Sequence, residues 1–289
     1  MSLLTCSAKM YPAEFLADII NRAFTGYLED IIYNGDDFSL MAKTDGLDLR
    51  SSQILLQNDE IAGIALLATR GWNTRLAAMG IFEKYRKQGL GNALMQHIIA
   101  LSRKQNQHRM YLEVIEQNTH ALALYEKLGF KPVKRLIGFN GTPETGSESP
   151  DLEEINPHQV AHEMMLYAPR DLPWQIAGET LCQLPATHFS AWKRGPASII
   201  ISRPAKKAST IKGIVVHPES QRKGHATALL QALFAKYPDI TWHVSMTLPE
   251  DVAPGLFENL GFKRHKFSQK LMCLDLSADS DGVPEAVRL

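Results

Sequence analysis

The chain has 289 residues, more than one average domain, and two domains of ordinary size are expected. Its 31 lysines and arginines balance 31 aspartates and glutamates, so nothing global argues for nucleic acid or an anionic membrane as partner. No apolar run approaches the ~20 residues that span a bilayer, and the composition is that of a soluble globular protein.

The opening "MSLLTCSAKMYPAEF" lacks the basic start and long apolar core of a secretory leader. Cys6, Cys182 and Cys273 lie far apart with no CxxC pair, which suggests single buried thiols and a reducing, cytoplasmic setting. "AEFLADIINRAF" then places Phe15, Leu16, Ile19, Ile20, Ala23 and Phe24 on one helical stripe. "SQILLQN" and "IAGIALLAT" read as strands separated by Asp59 and Glu60, and the turn "RGWN" leads into a third, "TRLAAMGIF". "KYRKQGLGNALMQHII" follows, a glycine-bearing loop before a helix carrying Leu90, Leu94, Ile98 and Leu101. "RMYLEVI" reads as a strand, and "NTHALALYEKLGF" as a helix capped by Asn118 and stopped by Gly129. "VKRLIGF" closes this half as a strand.

The stretch "NGTPETGSESPD", Asn140 to Asp151, is a linker by composition and divides the chain into domains 1–143 and 144–289. The second half repeats the order of the first. "PHQVAHEMMLYA" is helical, and "HFSAWKRG", "ASIIISR" and "TIKGIVV" are strands. After Gly224 a helix bears Ala226, Leu229, Leu230, Leu233 and Phe234 on one stripe. "DITWHVSM" is a strand, "APGLFENLGF" a helix and "KFSQKLMCL" a strand. The pair "YEKLGFK" and "FENLGFK" marks duplication, with a period too long for a solenoid. The fold class is α/β: two copies of one unit, each a sheet flanked by helices.

The glycine loops carry the chemistry. A helix start exposes unpaired N–H groups and the positive end of the helix dipole, which together attract anions. Gly89 and Gly91 let backbone approach a bulky phosphate, and Arg86 and Lys87 add charge. The bland alternative is a tight strand-to-helix turn with solvated cations. Neither a P-loop nor a dinucleotide fingerprint fits the spacing.

That spacing, Arg86-x-x-Gly89-x-Gly91 and Gln221-x-x-Gly224-x-Ala226, resembles the [RQ]-x-x-G-x-[GA] pyrophosphate loop of the GNAT superfamily of acyl-CoA N-acyltransferases. The strand before it and "EVIEQNTHALALYEKLGF" after it strengthen the resemblance, which covers nearly all of the first half and about His188 to Leu276 of the second. Its tandem layout is similar to that of bacterial two-domain members. The resemblance implies a twisted mixed sheet in each domain, splayed between its fourth and fifth strands, with acetyl-CoA as co-substrate and no metal. Met79, Gly80 and Ile81 match the strand that bonds the pantetheine arm and polarises the thioester carbonyl. Arg86, Lys87, Gln88, Gly89, Leu90, Gly91 and Asn92 match the pyrophosphate loop, Asn118 an asparagine on the cofactor arm, and Tyr125 a tyrosine that protonates the departing thiolate. The chemistry agrees: amine attack on a thioester develops an oxyanion suited to preset backbone donors, then expels a thiolate that an acid can protonate.

Each assignment has a plainer competitor. Asn118 is an adequate N-cap by itself, and Tyr125 lies on the packing stripe Ala121, Leu124, Tyr125, Leu128. Glu113 reads either as a base relaying the amine's proton through water or as a solvated strand carboxylate. The acidic run Glu29, Asp30, Asp36, Asp37, Asp45 and Asp48 suits a cationic amine or a solvated surface. Trp72 covers substrate or a domain contact. The ten histidines show no metal-ligand spacing. Counting back from "LGF", the second copy has Phe257 where the first has Tyr125, and Glu250 where the first has Asn118. The expectation is an N-acetyltransferase working in its first domain on a small-molecule or peptide amine, the second domain supporting it, in a monomer with pseudo-dimeric tandem domains. The competing reading is a non-catalytic acyl-CoA-binding or regulatory module.

Overall fold

The computed structural model describes residues 4–28, 32–143 and 151–277. Glu29 and Asp30 of the acidic run, and 144–150 of the linker with the expected division at 143/144, lie outside or beside that set.

In the first half, β1 (Leu4–Ser7), β2 (Gln53–Gln57), β3 (Glu60–Arg70) and β4 (Asn73–Ile81) form an antiparallel meander, and β5 (Arg109–Ile115) joins β4 in parallel. Helices α1 (Ala13–Ala23) and α2 (Gly35–Asp45) cover one face; α3 (Leu90–Lys104) and α4 (Thr119–Lys127) cover the other. Strand β6 (Lys131–Gly141) ends the half. In the second half β7 (Glu153–Ile155), α5 (Pro157–Tyr167) and α6 (Gly178–Leu181) are followed by the meander β8 (Phe189–Arg194), β9 (Ala197–Ser202) and β10 (Ala208–Val216). Then come α7 (His225–Lys236), β11 (Thr241–Pro249), α8 (Leu256–Asn259), β12 (Lys263–Arg264) and β13 (Gln269–Asp275). Most elements stand where periodicity put them. Helix α2 was hidden by its polar composition, although Asn34 caps it and Gly46 stops it at φ 68°. The expected helix in "APGLFENLGF" is one turn, because Ala253 (φ 51°) and Gly255 (φ 77°) keep the chain out of the helical region until Leu256. No described helix is long and apolar enough to cross a membrane.

All thirteen described strands belong to one sheet, in the order β1-β2-β3-β4-β5-β13-β6-β11-β10-β9-β8-β7, with β12 beside β6. Strand β13, from the far end of the chain, lies between β5 and β6. Residues 131–136 of β6 pair with β13, while residues 136–141 run on to pair with β11 and β12. The two halves have exchanged strands: β13 pairs with β5, and β6 reaches β11. The exchange reaches the cores: Met272 and Leu274 pack under α3 and α4, and Ile137 and Phe139 pack against α7. Each such buried side chain contributes ~1.5–3 kcal/mol, which holds the halves together firmly.

The feature that positions the site is a gap. Strands β4 and β5 pair from Asn73↔Arg109 to Leu76↔Leu112 and then diverge, although β4 runs on to Ile81 and β5 to Ile115. Strands β10 and β11 do the same after Ile211↔Val244. A bulge marks each divergence, with Ala77 the extra residue on β4 and Lys212 its counterpart on β10.

Candidate active site

The divergence leaves one edge of β4 without a partner strand. Phe82 N–H donates to the Ala62 carbonyl at 2.8 Å, so the ladder's alternation turns Gly80 toward β3. Met79 and Ile81 therefore aim their backbone groups into the gap. Gly80 contributes its missing side chain: a Cβ there would come within 2.7 Å of the Ala23 Cβ, so only glycine lets α1 seat against β4.

Two adjoining cavities fill the gap. The one toward the glycine loop, about 430 Å³, is lined by Phe24, Tyr27, Met79, Gly80, Ile81, Arg86 and Asn118, among others. The other, about 380 Å³, is lined by Tyr33, Arg75, Met79, Glu113, Asn118 and Tyr125 and by Gln175, Met246 and Gln269 of the second half. Met79, Asn118, Phe24 and Tyr27 border both. The expected residues Met79, Gly80, Ile81, Arg86, Asn118, Glu113 and Tyr125 are thus brought together.

Lys87, Gln88, Gly89, Leu90, Gly91 and Asn92 line neither cavity; they form the turn directly after Arg86. Lys87 (φ 62°) and Gly89 (φ 80°) are both left-handed, which curls the backbone into a nest before α3. Ala93 N–H bonds Gly89 and begins the helical ladder, leaving the N–H groups from Leu90 to Asn92 at the unpaired helix start. No heavy atom lies within 4 Å of a Cβ built on Gly89, so the turn opens to free space on that side. Leu90 packs on the core, Gln88 Nε2 folds back to the Lys84 carbonyl at 3.0 Å, and Asn92 Oδ1 is buried without a partner. These features fit the pyrophosphate and pantetheine of acetyl-CoA.

Arg86 has a defined further task. Its Nε donates to the Ile81 carbonyl at 3.0 Å, and its Nη2 to the carbonyls of Ala23 (3.1 Å) and Thr25 (2.9 Å). It clamps the end of β4 to the end of α1 around the cavity mouth. In the second copy Gln221 Nε2 donates to the Val216 carbonyl at 3.1 Å, the same bond five residues back. That shared bond explains why arginine and glutamine interchange at the motif's first position.

Asn118 caps α4, its Oδ1 accepting from Ala121 N–H at 3.1 Å, while lining both cavities, so cap and cavity wall coexist. Tyr125 sits edge-on to Phe130 at 5.8 Å with its ring buried, so packing and cavity lining coexist too. Burial pushes its phenol well above the usual tyrosine range, and Tyr27 adds to the effect. Tyr125 therefore keeps its proton at neutral pH.

Glu113 is no solvated carboxylate. Its side chain is 5% exposed, and Oε2 accepts from Arg75 Nε at 2.9 Å. Arg75 Nη1 reaches Asp45 Oδ2 at 2.9 Å, so one buried guanidinium ties the end of α2 to β5 through β4. Burial works against the Arg75 charge, but Glu113 and Asp45 outweigh it and raise its pKa. Glu113 Oε1 is buried without a hydrogen bond. Arg75 escaped the sequence reading; the available signal was a lone cation inside an apolar strand.

Other expectations resolve structurally. Asp36 and Asp37 occupy the first turn of α2, and Asp48 accepts from Arg50 N–H and Ser51 Oγ. Trp72 is 64% exposed and stacks on His108 at 5.1 Å, lining neither cavity. In the second copy Phe257 is packed between Phe139 and Phe262, and Glu250 bonds Arg135 and Arg264. By sheet register Thr210 and Ser245 stand where Arg75 and Glu113 stand in the first.

Comparison with known proteins agrees with this geometry. Residues 14–130 match the model of the acetyltransferase (GNAT) family, and residues 187–264 match that of an acetyltransferase (GNAT) domain. The [ribosomal protein bS18]-alanine N-acetyltransferase of Escherichia coli (strain K12) is 37% identical over 76 residues, 26% of this chain and 51% of that protein. The chain thus spans about half the length of the curated relatives it matches. Among solved structures, a GCN5-related N-acetyltransferase from Sphaerobacter thermophilus aligns with TM-score 0.69 at 16% identity, over 95% of this chain and 96% of the other. A tandem GNAT protein from the clavulanic acid biosynthesis pathway aligns with TM-score 0.67 at 14% identity, over 96% of this chain and 100% of the other. These two likenesses show the fold.

Proposed function

Since this chain belongs to the GNAT acetyltransferase family, with a family domain in each half, we propose that it moves an acetyl group from acetyl-CoA to a primary amine by direct attack, within its N-terminal half. The observation that carries this reading is the β4–β5 gap, where Met79, Glu113, Asn118 and Tyr125 line a single cavity. In this reading domain 1–143 works and domain 144–289 supports it.

Acetyl-CoA supplies an activated acetyl group as a thioester. The N–H groups from Lys87 to Asn92 hold its pyrophosphate, assisted by the helix dipole. Met79 and Ile81 offer backbone groups that hold the arm and polarise the carbonyl as negative charge develops there. Glu113 Oε1 receives a proton from the attacking nitrogen as the N–C bond forms. Tyr125 gives its proton to sulfur as the C–S bond breaks, and solvent carries a proton from Glu113 back to Tyr125. A phenol raised above its usual pKa of ~10 meets a thiolate of pKa ~8.5, so full transfer is uphill by ~2 kcal/mol or more. Tyr125 thus acts first as a hydrogen-bond donor and completes the transfer late.

Transfer of isotopic acetyl from acetyl-CoA to a panel of amines tests the reading. Label on an amine supports it; acetyl-CoA binding with no transfer to any amine favours the non-catalytic binding module.

A further inference from the structure

The 380 Å³ cavity has walls from both halves of the chain. Gln175 lies in a single 3-10 turn, Trp174–Ile176, that follows α5, while Met246 and Gln269 come from β11 and β13. The turn is fastened to the first half on two sides. Trp174 Nε1 donates to the Asp45 carbonyl at 2.8 Å, and the Arg70 guanidinium lies 4.2 Å over the Trp174 ring. Arg70 Nη2 also donates to Thr180 Oγ1 at 2.7 Å, and that hydroxyl donates in turn to the Trp174 carbonyl. These contacts fix the backbone of the turn that carries Gln175, and a specificity contact requires a positioned backbone.

Two residues lining this cavity each carry a buried oxygen without a hydrogen-bond partner: Glu113 Oε1 from one half and Gln175 Oε1 from the other. A buried acceptor without a donor costs ~1–3 kcal/mol. Arg75 does not relieve it, since its Nε and Nη1 are engaged with Glu113 Oε2 and Asp45 Oδ2. The charged groups around the cavity are Glu113, Asp45 and Arg75, with Lys212 close enough to Asp45 to feel its charge. Burial pushes Lys212 below the usual lysine range. Two carboxylates face two cations there, and the unmet groups are acceptors. A ligand completing this cavity brings hydrogen-bond donors at two points.

We propose that Gln175, supplied by the second half, is a specificity-determining residue of the acceptor site, and that the acceptor is a compact amine carrying a second hydrogen-bond donor. The reacting nitrogen meets Glu113 Oε1 and the second donor meets Gln175 Oε1. The size agrees: about 380 Å³ lies near the lower end of small-molecule pockets. This inference rests on the acetyltransferase reading above and adds to it the substrate class.

The test compares α,ω-diamines of two to five carbons with matched monoamines as acceptors in steady-state acetyl transfer. For the wild type, kcat/KM for the best diamine should exceed that of its monoamine by at least about tenfold. In Gln175→Leu the ratio should fall to near one through KM, with acetyl-CoA affinity by calorimetry reporting that the fold and cofactor site persist. Gln175→Glu retains an acceptor oxygen and should keep or raise the ratio, which covers the case in which the leucine variant does not fold. Transfer by the wild type without any diamine preference, or a preference that survives Gln175→Leu, overturns the Gln175 assignment and leaves the acetyltransferase reading intact. Binding of acetyl-CoA with no transfer to either series overturns both.

Discussion

The loops after β4 and β10 are nearly the same object in backbone. Lys87 and Arg222 have φ 62° and 58°, and Gly89 and Gly224 have φ 80° and 82°. Both precede a helix, both follow a strand that has left its parallel neighbour, and in both the motif's first side chain bonds the carbonyl five residues earlier. Side chains at the chemical positions differ throughout: Tyr125 against Phe257, Asn118 against Glu250, Glu113 against Ser245, Arg75 against Thr210. The backbone features hold each sheet and helix in place, so a copy kept for its shape retains them. In the proposed reading the side chains matter only where acetyl transfer occurs; in the second copy Phe257 packs between Phe139 and Phe262, and Glu250 bonds Arg135 of the first half.

The sharpest way to break this comparison is to burden both loops equally. Gly89→Glu and Gly224→Glu meet the same left-handed backbone and the same open space, so their folding costs should match. Turnover should be abolished in the first, with acetyl-CoA affinity down at least about tenfold, and largely retained in the second. Steady-state rates and calorimetry on the two variants read the difference; loss of turnover in the Gly224 variant alone would reverse the assignment of the working half.

Next in size is the buried cation. Arg75→Met leaves Glu113 and Asp45 facing each other unneutralised and should cost ~3–5 kcal/mol in denaturant unfolding. Thr210→Val, at the matching place, should cost well under half of that. Equal losses would show that Arg75 is not the keystone of the first gap.

Tyr125→Phe should then lower kcat roughly 10²-fold with little change in acetyl-CoA binding. Its mirror, Phe257→Tyr, buries a hydroxyl between two phenylalanine rings and should cost ~1–3 kcal/mol of stability without adding activity. Full kcat in the Tyr125 variant would leave that residue a packing group.

The smallest effect concerns the charges between the halves. Arg264 and Arg135 hold the Glu250 carboxyl below the usual carboxylate range. A depressed native pKa contributes stability above the unfolded value of ~4.3 and loses it as pH falls through the native one. The pairs are partly exposed, so Glu250→Gln should remove about 1 kcal/mol or less at neutral pH, and the gap to wild type should narrow as pH falls below about 4. Unfolding midpoints at pH 7 and pH 3.5 provide the check.

How far the sequence reached follows from the range of each signal. Periodicity and glycine stops located the long helices and the meanders because their causes lie within a few residues. Glu113 and Tyr125 were legible as candidates for the same reason, since a single strand and a single helix place them. The partners of a strand are not local. "KFSQKLMCL" reads as a strand, yet nothing in it says that Met272 packs beneath α3 rather than against α7. The consecutive apolar residues Leu136 and Ile137, buried on opposite faces, hinted at a central strand but not at whose sheet it would join. Gln175 was out of reach altogether: it lies in a three-residue turn without periodicity, and its importance comes from Trp174 docking on Asp45, 129 positions away.

The position of β13 also sets an order of events during synthesis. The first half is complete in sequence once Gly141 has been made, yet the slot between β5 and β6 stays empty until Gln269–Asp275 emerge. At about 5–20 residues per second, that wait lasts roughly seven to twenty-seven seconds. Until then β5 lacks the partner it has in the finished sheet, and an unpaired strand edge is the kind of surface on which nascent chains stick to one another. Gln269 borders the proposed acceptor cavity, so the same late segment that covers this edge also finishes the wall on which an amine would dock. A ribosome-bound first half therefore carries Glu113 and Tyr125 but lacks the Gln269 wall of the proposed acceptor cavity.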